Sequence, residues 1–170
     1  MGLIVRQGAA LAGAKTIIAV DVRENKLGFA RQFGATHTIN ASQEDPVEAI
    51  KEMTGGKGVE YAFEAIGNHE TMAQAIKSTC KMGTACIVGE APDTAVLSFP
   101  AALLYDERKI IGCSYGSTNP RIHMPRLLDL YLDGKLKLEE LVTRTYPLDE
   151  INSAFEGMEQ GEVTRSVIKF

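Results

Sequence analysis

Five short runs rich in β-branched residues alternate with helical stretches over the first two thirds of the chain, and this alternation limits the fold more than any other feature. The runs are Thr16–Asp21 (TIIAVD), Thr36–Asn40 (THTIN), Val59–Ala65, Thr84–Val88 and Lys109–Cys113. Between them, Glu24–Phe33, Pro46–Met53 and Thr71–Met82 read as helices, with Gly34 and Gly83 as stops. Such a repeat predicts parallel strands with right-handed crossovers and helices on both faces of a sheet. Gly2 to about Ala14 is a further helix, ahead of the first strand. The Gly-Gly-Lys-Gly cluster at 55–58 lacks the spacing of a phosphate loop and reads as a plain turn.

The texture changes after Tyr115. GSTNPR is a turn-rich joint, Met124–Asp133 an amphipathic helix and Thr143–Pro147 an extended segment. Asp149 is placed to cap a helix from Glu150 to Met158, and Ser166–Phe170 closes the chain as a strand. The expected organisation is a nucleotide-binding domain over 1–115 and an α+β tail over 116–170.

Composition narrows the function classes. The 170 residues are 45% hydrophobic and 24% charged, with net charge −4. No basic face points to nucleic acid or to an anionic membrane. No apolar run approaches the ~20 residues of a membrane span, and no signal-peptide layout opens the chain, so a cytoplasmic address is expected. Cys80, Cys86 and Cys113 are widely spaced and odd in number, which favours buried reduced thiols over disulfides or zinc ligands. His37, His69 and His123 are scattered and match no metal-binding spacing.

Asp21 is the sharpest candidate. It ends the first strand, nineteen residues after Gly2. In dinucleotide-binding folds an acid about 20 residues beyond the glycine fingerprint holds the ribose hydroxyls. Its charge would repel the extra phosphate of NADP, so NAD is favoured. A surface acid that starts a turn or caps the Glu24 helix is the plain alternative. Arg23 and Lys26 follow within reach of an adenosine ribose; both can also be solvated cations, a reading favoured for Arg23. Ile66-Gly67-Asn68 and Val88-Gly89-Glu90 each follow a strand, where ligands of open α/β sheets bind. Either can also be an ordinary strand-ending turn. Glu60 and Glu64 share a strand face and read as strand-end charges. No catalytic constellation stands out by spacing.

Together these stretches resemble the medium-chain, zinc-dependent alcohol dehydrogenases. The likeness runs through Gly2-Leu3, Gln7-Gly8-Ala9, Leu11–Ala14, Ile17–Asp21, Phe33–Thr36, Gly58–Asn68, Thr84–Gly89 and Gly161–Ile168. It implies a Rossmann-like doubly wound parallel sheet and a cofactor-binding role in hydride transfer between an alcohol/aldehyde pair and NAD. By position, Gly2 resembles the last glycine of the phosphate loop, Asp21 the ribose acid and Lys26 the lysine near the adenosine ribose. Ile66, Gly67, Val88, Gly89 and Glu90 match segments facing the cofactor, the last three at its nicotinamide amide. Tyr115 falls at an aromatic position beside that amide, and Arg165 resembles the arginine that reaches the pyrophosphate. Val96–Phe99 resembles the edge through which family members pair, so a homodimer or homotetramer is implied.

The departures are equally informative. Nothing here matches the family's N-terminal domain, which holds the zinc ligands and proton relay. The strand carrying the first loop glycines is also absent. In the order 3-2-1-4-5-6 that strand is central, and its loss would leave two strands with open edges. The expectation is a fragment of a longer dehydrogenase, with zinc held only in the parent's N-terminal domain and no alcohol oxidation by this chain alone. The reading from another class is a non-catalytic nucleotide-binding or subunit-interaction module.

Overall fold

The computed structural model describes residues 1–170 in full. Its backbone falls into two compact units, Met1–Thr118 and Asn119–Phe170.

In the first unit, helix α1 (Gly2–Leu11) leads into strand β1 (Ile18–Asp21), helix α2 (Glu24–Gln32) and strand β2 (His37–Asn40). Helix α3 (Pro46–Met53), strand β3 (Val59–Glu64), helix α4 (His69–Ser78), strand β4 (Thr79–Ile87) and strand β5 (Lys109–Gly112) follow. All pairing is parallel, as the alternation requires. β1 pairs with β2, and β3-β4-β5 form a second sheet. β1 and β3 therefore have one hydrogen-bonded neighbour each. This is the doubly wound α/β class expected from the sequence, here split into two parallel sheets.

Burial follows the apolar pattern. Ala19, Ala30 and Ala35 form one small cluster, where alanines let α2 lie close on β1. Ile39, Ala49 and Ile50 form another, with Ile18, Val20 and Val59 against it. Side chains from both sheets thus share a core beneath α3. Ile39 and Phe33 are almost wholly buried, each worth roughly 1.5–3 kcal/mol relative to exposure. α3 has the bounds its sequence predicts, because Asp45 caps it: Oδ1 accepts the Val47 N–H at 2.8 Å and the Glu48 N–H at 3.3 Å. Pro46 at the first turn has no N–H to satisfy.

Two expectations are corrected here. The helix read over Thr71–Met82 starts earlier, at His69, where the Asn68 side chain accepts the Glu70 N–H at 2.7 Å. It also ends earlier, at Ser78. Thr79 turns extended (φ −72°, ψ 147°), and the run to Gly83 belongs to β4. The pairing jumps from Val59↔Thr79 to Tyr61↔Thr84, so the segment between bulges. Met82 sits there at φ 61°. A bulge with a left-handed non-glycine residue leaves no periodic trace, and the apolar spacing of the helix simply runs on into it.

The second unit contains helix α5 (Pro120–Leu132), strand β6 (Arg144–Pro147), helix α6 (Ile151–Glu159) and strand β7 (Ser166–Lys169), with β6 and β7 parallel. α5 begins four residues before the expected Met124, because Asn119 accepts the Arg121 N–H at 3.2 Å and Pro120 suits the first turn. Asp149 is not the cap of α6. It lies inside a 3-10 turn, Leu148–Glu150, and the cap position is Glu150 without a side-chain hydrogen bond. No helix is long and apolar enough to cross a membrane.

Candidate cofactor-binding site

The ends of β3 and β4 are packed backbone against backbone. Gly67 follows β3 at φ 93°, a conformation natural to glycine. A Cβ there would collide with the Glu90 carbonyl, and a Cβ on Gly89 would collide with the Gly67 nitrogen and lie 2.7 Å from Glu64 Oε2. Glycine is required at both places by close approach. The two loops consequently present bare peptide groups at the carboxyl edge of the sheet.

Glu64 ties these loops together. It is only 4% exposed. Its Oε1 accepts the Ile66 N–H at 2.8 Å, the Gly67 N–H at 3.0 Å and the Thr71 hydroxyl at 2.8 Å. Its backbone carbonyl accepts the Val88 N–H at 2.8 Å and the Gly89 N–H at 3.0 Å. The structure thus brings Ile66, Gly67, Val88, Gly89 and Glu90 into one assembly around a residue that the strand pattern reads as a strand-end charge. The period-2 pattern carried no signal for it, because its partners arrive through two separate turns.

Tyr115 follows β5, whose continuation is fixed to β4 by the Cys113 N–H to Ile87 carbonyl bond at 2.9 Å. Tyr115, Gly116 and Ser117 all have positive φ (48°, 70° and 48°). The Tyr115 ring is 96% exposed. Two non-glycine exceptions within three residues, Tyr115 and Ser117, mark a strained corner, of the kind that concentrates near functional sites.

The second group lies on the other sheet. Asp21 ends β1, half exposed, with Oδ1 accepting the Arg23 N–H at 3.1 Å. It therefore starts the turn into α2, whose cap position is Arg23. Lys26 lies in the first turn of α2 and Gly2 opens α1. Arg6 joins this group without having been foreseen: its Nη2 is 3.7 Å from where a Gly2 Cβ would lie. Burial lowers the Arg6 guanidinium from its ordinary value, and the Asp21 charge partly offsets this. One Arg in an apolar helix face gives a sequence reader no hint of that neighbour. Arg165 is exposed in the second unit, just before β7. The run 96–99 forms no strand, and Val96 is exposed.

Both the Rossmann-like fold and the glycine-lined loops suit a dinucleotide. The chain's own residues do not suit zinc: no group of three or more His, Cys, Asp and Glu side chains could hold a metal ion.

The family profile described as zinc-binding dehydrogenase matches residues 1–133. The chain belongs to this zinc-binding dehydrogenase family. It is 41% identical to the alcohol dehydrogenase class-3 of Dictyostelium discoideum, over 99% of this chain and 46% of that protein. Its structure is similar to that of benzyl alcohol dehydrogenase from Acinetobacter calcoaceticus, with TM-score 0.94 and 37% identity over 99% of this chain and 46% of that one. It is also similar to a zinc-binding dehydrogenase of Sinorhizobium meliloti bound to NADP, with TM-score 0.81 and 31% identity over 90% of this chain and 44% of the other. The chain thus spans less than half the length of the relatives it matches. The family membership and the fold expected from the sequence both stand.

Proposed function

We propose that this chain is the cofactor-binding part of an NAD-dependent alcohol dehydrogenase that moves hydride between an alcohol/aldehyde pair and NAD. Family membership supports the reaction class. The observation that carries the cofactor role is the Gly67–Gly89 contact, which leaves bare backbone at a carboxyl sheet edge where such ligands bind.

When bound, NAD would supply the hydride acceptor. The chain's residues would hold it. Asp21 would accept the ribose hydroxyls, with Lys26 beside the adenosine ribose and Gly2 at the pyrophosphate. The backbone of Ile66, Gly67, Val88, Gly89 and Glu90 would meet the cofactor, the last three orienting the nicotinamide amide beside the Tyr115 ring; the N–H groups of Ile66, Gly67, Val88 and Gly89 are already donated to Glu64, which leaves the carbonyls to do so. Arg165 would offer its charge to the pyrophosphate. Asp21 would also repel a 2′-phosphate, which favours NAD over the NADP bound by the Sinorhizobium relative.

Residues 1–115 form the cofactor part in this reading, and 116–170 the segment that packs with a catalytic domain. Zinc would be held by that catalytic domain. A cytoplasmic homodimer or homotetramer, pairing through the run 96–99, where Val96 and Ser98 are exposed and Leu97 and Phe99 half-buried, completes the proposal. A fluorescence titration with NADH tests it: saturable binding by the 170-residue chain is expected, and no binding at millimolar NADH overturns it.

A further inference from the structure

We infer that Glu64 is a positioning residue, which holds both cofactor-facing loops in binding geometry; this rests on the dinucleotide reading above. The contacts of Glu64 are unusual for a strand-end acid. A carboxylate removed from water is costly unless donors are aimed at it. Here the N–H groups of Ile66 and Gly67 converge on a single oxygen, joined by the Thr71 hydroxyl, whose one proton is shared with the Asn68 carbonyl at 2.9 Å. The same residue's carbonyl holds the Val88 and Gly89 N–H groups of the adjacent loop. Its other oxygen, Oε2, has a longer contact of 3.3 Å with the Gly67 N–H and lies against Gly89.

Side chain and main chain therefore divide the work. The main-chain bonds continue the β3–β4 ladder and survive any substitution. The side chain alone folds the chain back after β3 and sets Gly67 against Glu90. Ile66 shows the separation: its side chain is 72% exposed while its N–H is held at 2.8 Å. Core packing does not fix this loop; the carboxylate does. Without it, the Gly67 peptide would be free to turn from the Glu90 backbone, and binding would have to order the loop first.

The second oxygen explains why a carboxylate stands here, because the Gly67 N–H reaches both Oε1 at 3.0 Å and Oε2 at 3.3 Å. The NH2 group of a glutamine would put a donor against the Gly67 N–H at the Oε2 position. Glu64→Gln should therefore keep the fold yet support the loop incompletely. Thr71→Val should remove one of the three donors and leave the two peptide bonds.

The test measures NADH affinity and amide hydrogen exchange on the full chain. Glu64→Ala should weaken NADH binding by about tenfold to a hundredfold, the range of a lost charge-assisted hydrogen-bond set. Glu64→Gln should fall between wild type and Glu64→Ala, and Thr71→Val closest to wild type. Exchange at Ile66 and Gly67 should quicken in the same order, while Ala19 and Ile39 in the other sheet keep their protection. A merely structural acid would lower protection everywhere. If Glu64→Ala does not fold, the order of the other two variants decides. NADH affinity unchanged beside faster Ile66 and Gly67 exchange overturns the inference alone. No NADH binding by the wild-type chain overturns the dinucleotide reading and this inference with it.

Discussion

Gly67 and Glu90 meet so closely across the ends of β3 and β4 that a Cβ on Gly67 would collide with the Glu90 carbonyl. Two loops that follow separate strands are thereby one piece of backbone. Gly67→Ala must overcome both this collision and the positive φ. It should destabilise the chain by about 2–4 kcal/mol, adding overpacking to left-handed strain. Gly28, in α2, has open space around its Cβ position, so Gly28→Ala should instead stabilise by about 0.5–1 kcal/mol. Urea unfolding of the two variants measures the contrast; equal effects would contradict it.

Helix capping separates two aspartates that look alike in sequence. Asp45 accepts two N–H groups at the start of α3, and Asp45→Ala should cost about 1 kcal/mol. Asp149 makes no cap for α6, and Asp149→Ala should change stability by less than about 0.5 kcal/mol. Thermal melts of both variants check this.

Cys86 sets a pH dependence. Burial first, then the charge and hydrogen bond of Cys113, push its thiol above the ordinary value of 9.0. The folded chain therefore holds this proton more tightly than the unfolded chain. The resulting stability is complete below pH 9 and declines as pH rises through the higher folded value. Two outcomes follow. Cys86 should be the last of the three cysteines to react with iodoacetamide, read by peptide mass spectrometry. Cys86→Ala should also lose less stability than wild type between pH 9 and 10. Early labelling of Cys86 would contradict both.

The readable parts of the fold are those written in local chemistry. α3 could be read to the residue, because Asp45-Pro46 starts it and Thr54-Gly55 ends it. β1, β2 and β5 were legible within a residue or two from their β-branched runs. The start of β4 was not, because the bulge around Met82 is decided by pairing with Val59 and Tyr61, far away in sequence. The site divides in the same way. Gly67 and Gly89 stand out by their position after strands, and Asp21 as the last residue of β1. Glu64 and Arg6 acquire their neighbours only through tertiary contacts, which no spacing encodes.

Calorimetric titration of the wild-type chain and of Asp21→Asn, each with NADH and NADPH, tests the cofactor proposal most directly. Like-charge repulsion at Asp21 should give the wild type at least an about tenfold preference for NADH, and Asp21→Asn should erase most of it. Binding of neither dinucleotide, or a preference that Asp21→Asn leaves intact, would contradict the role proposed for this chain.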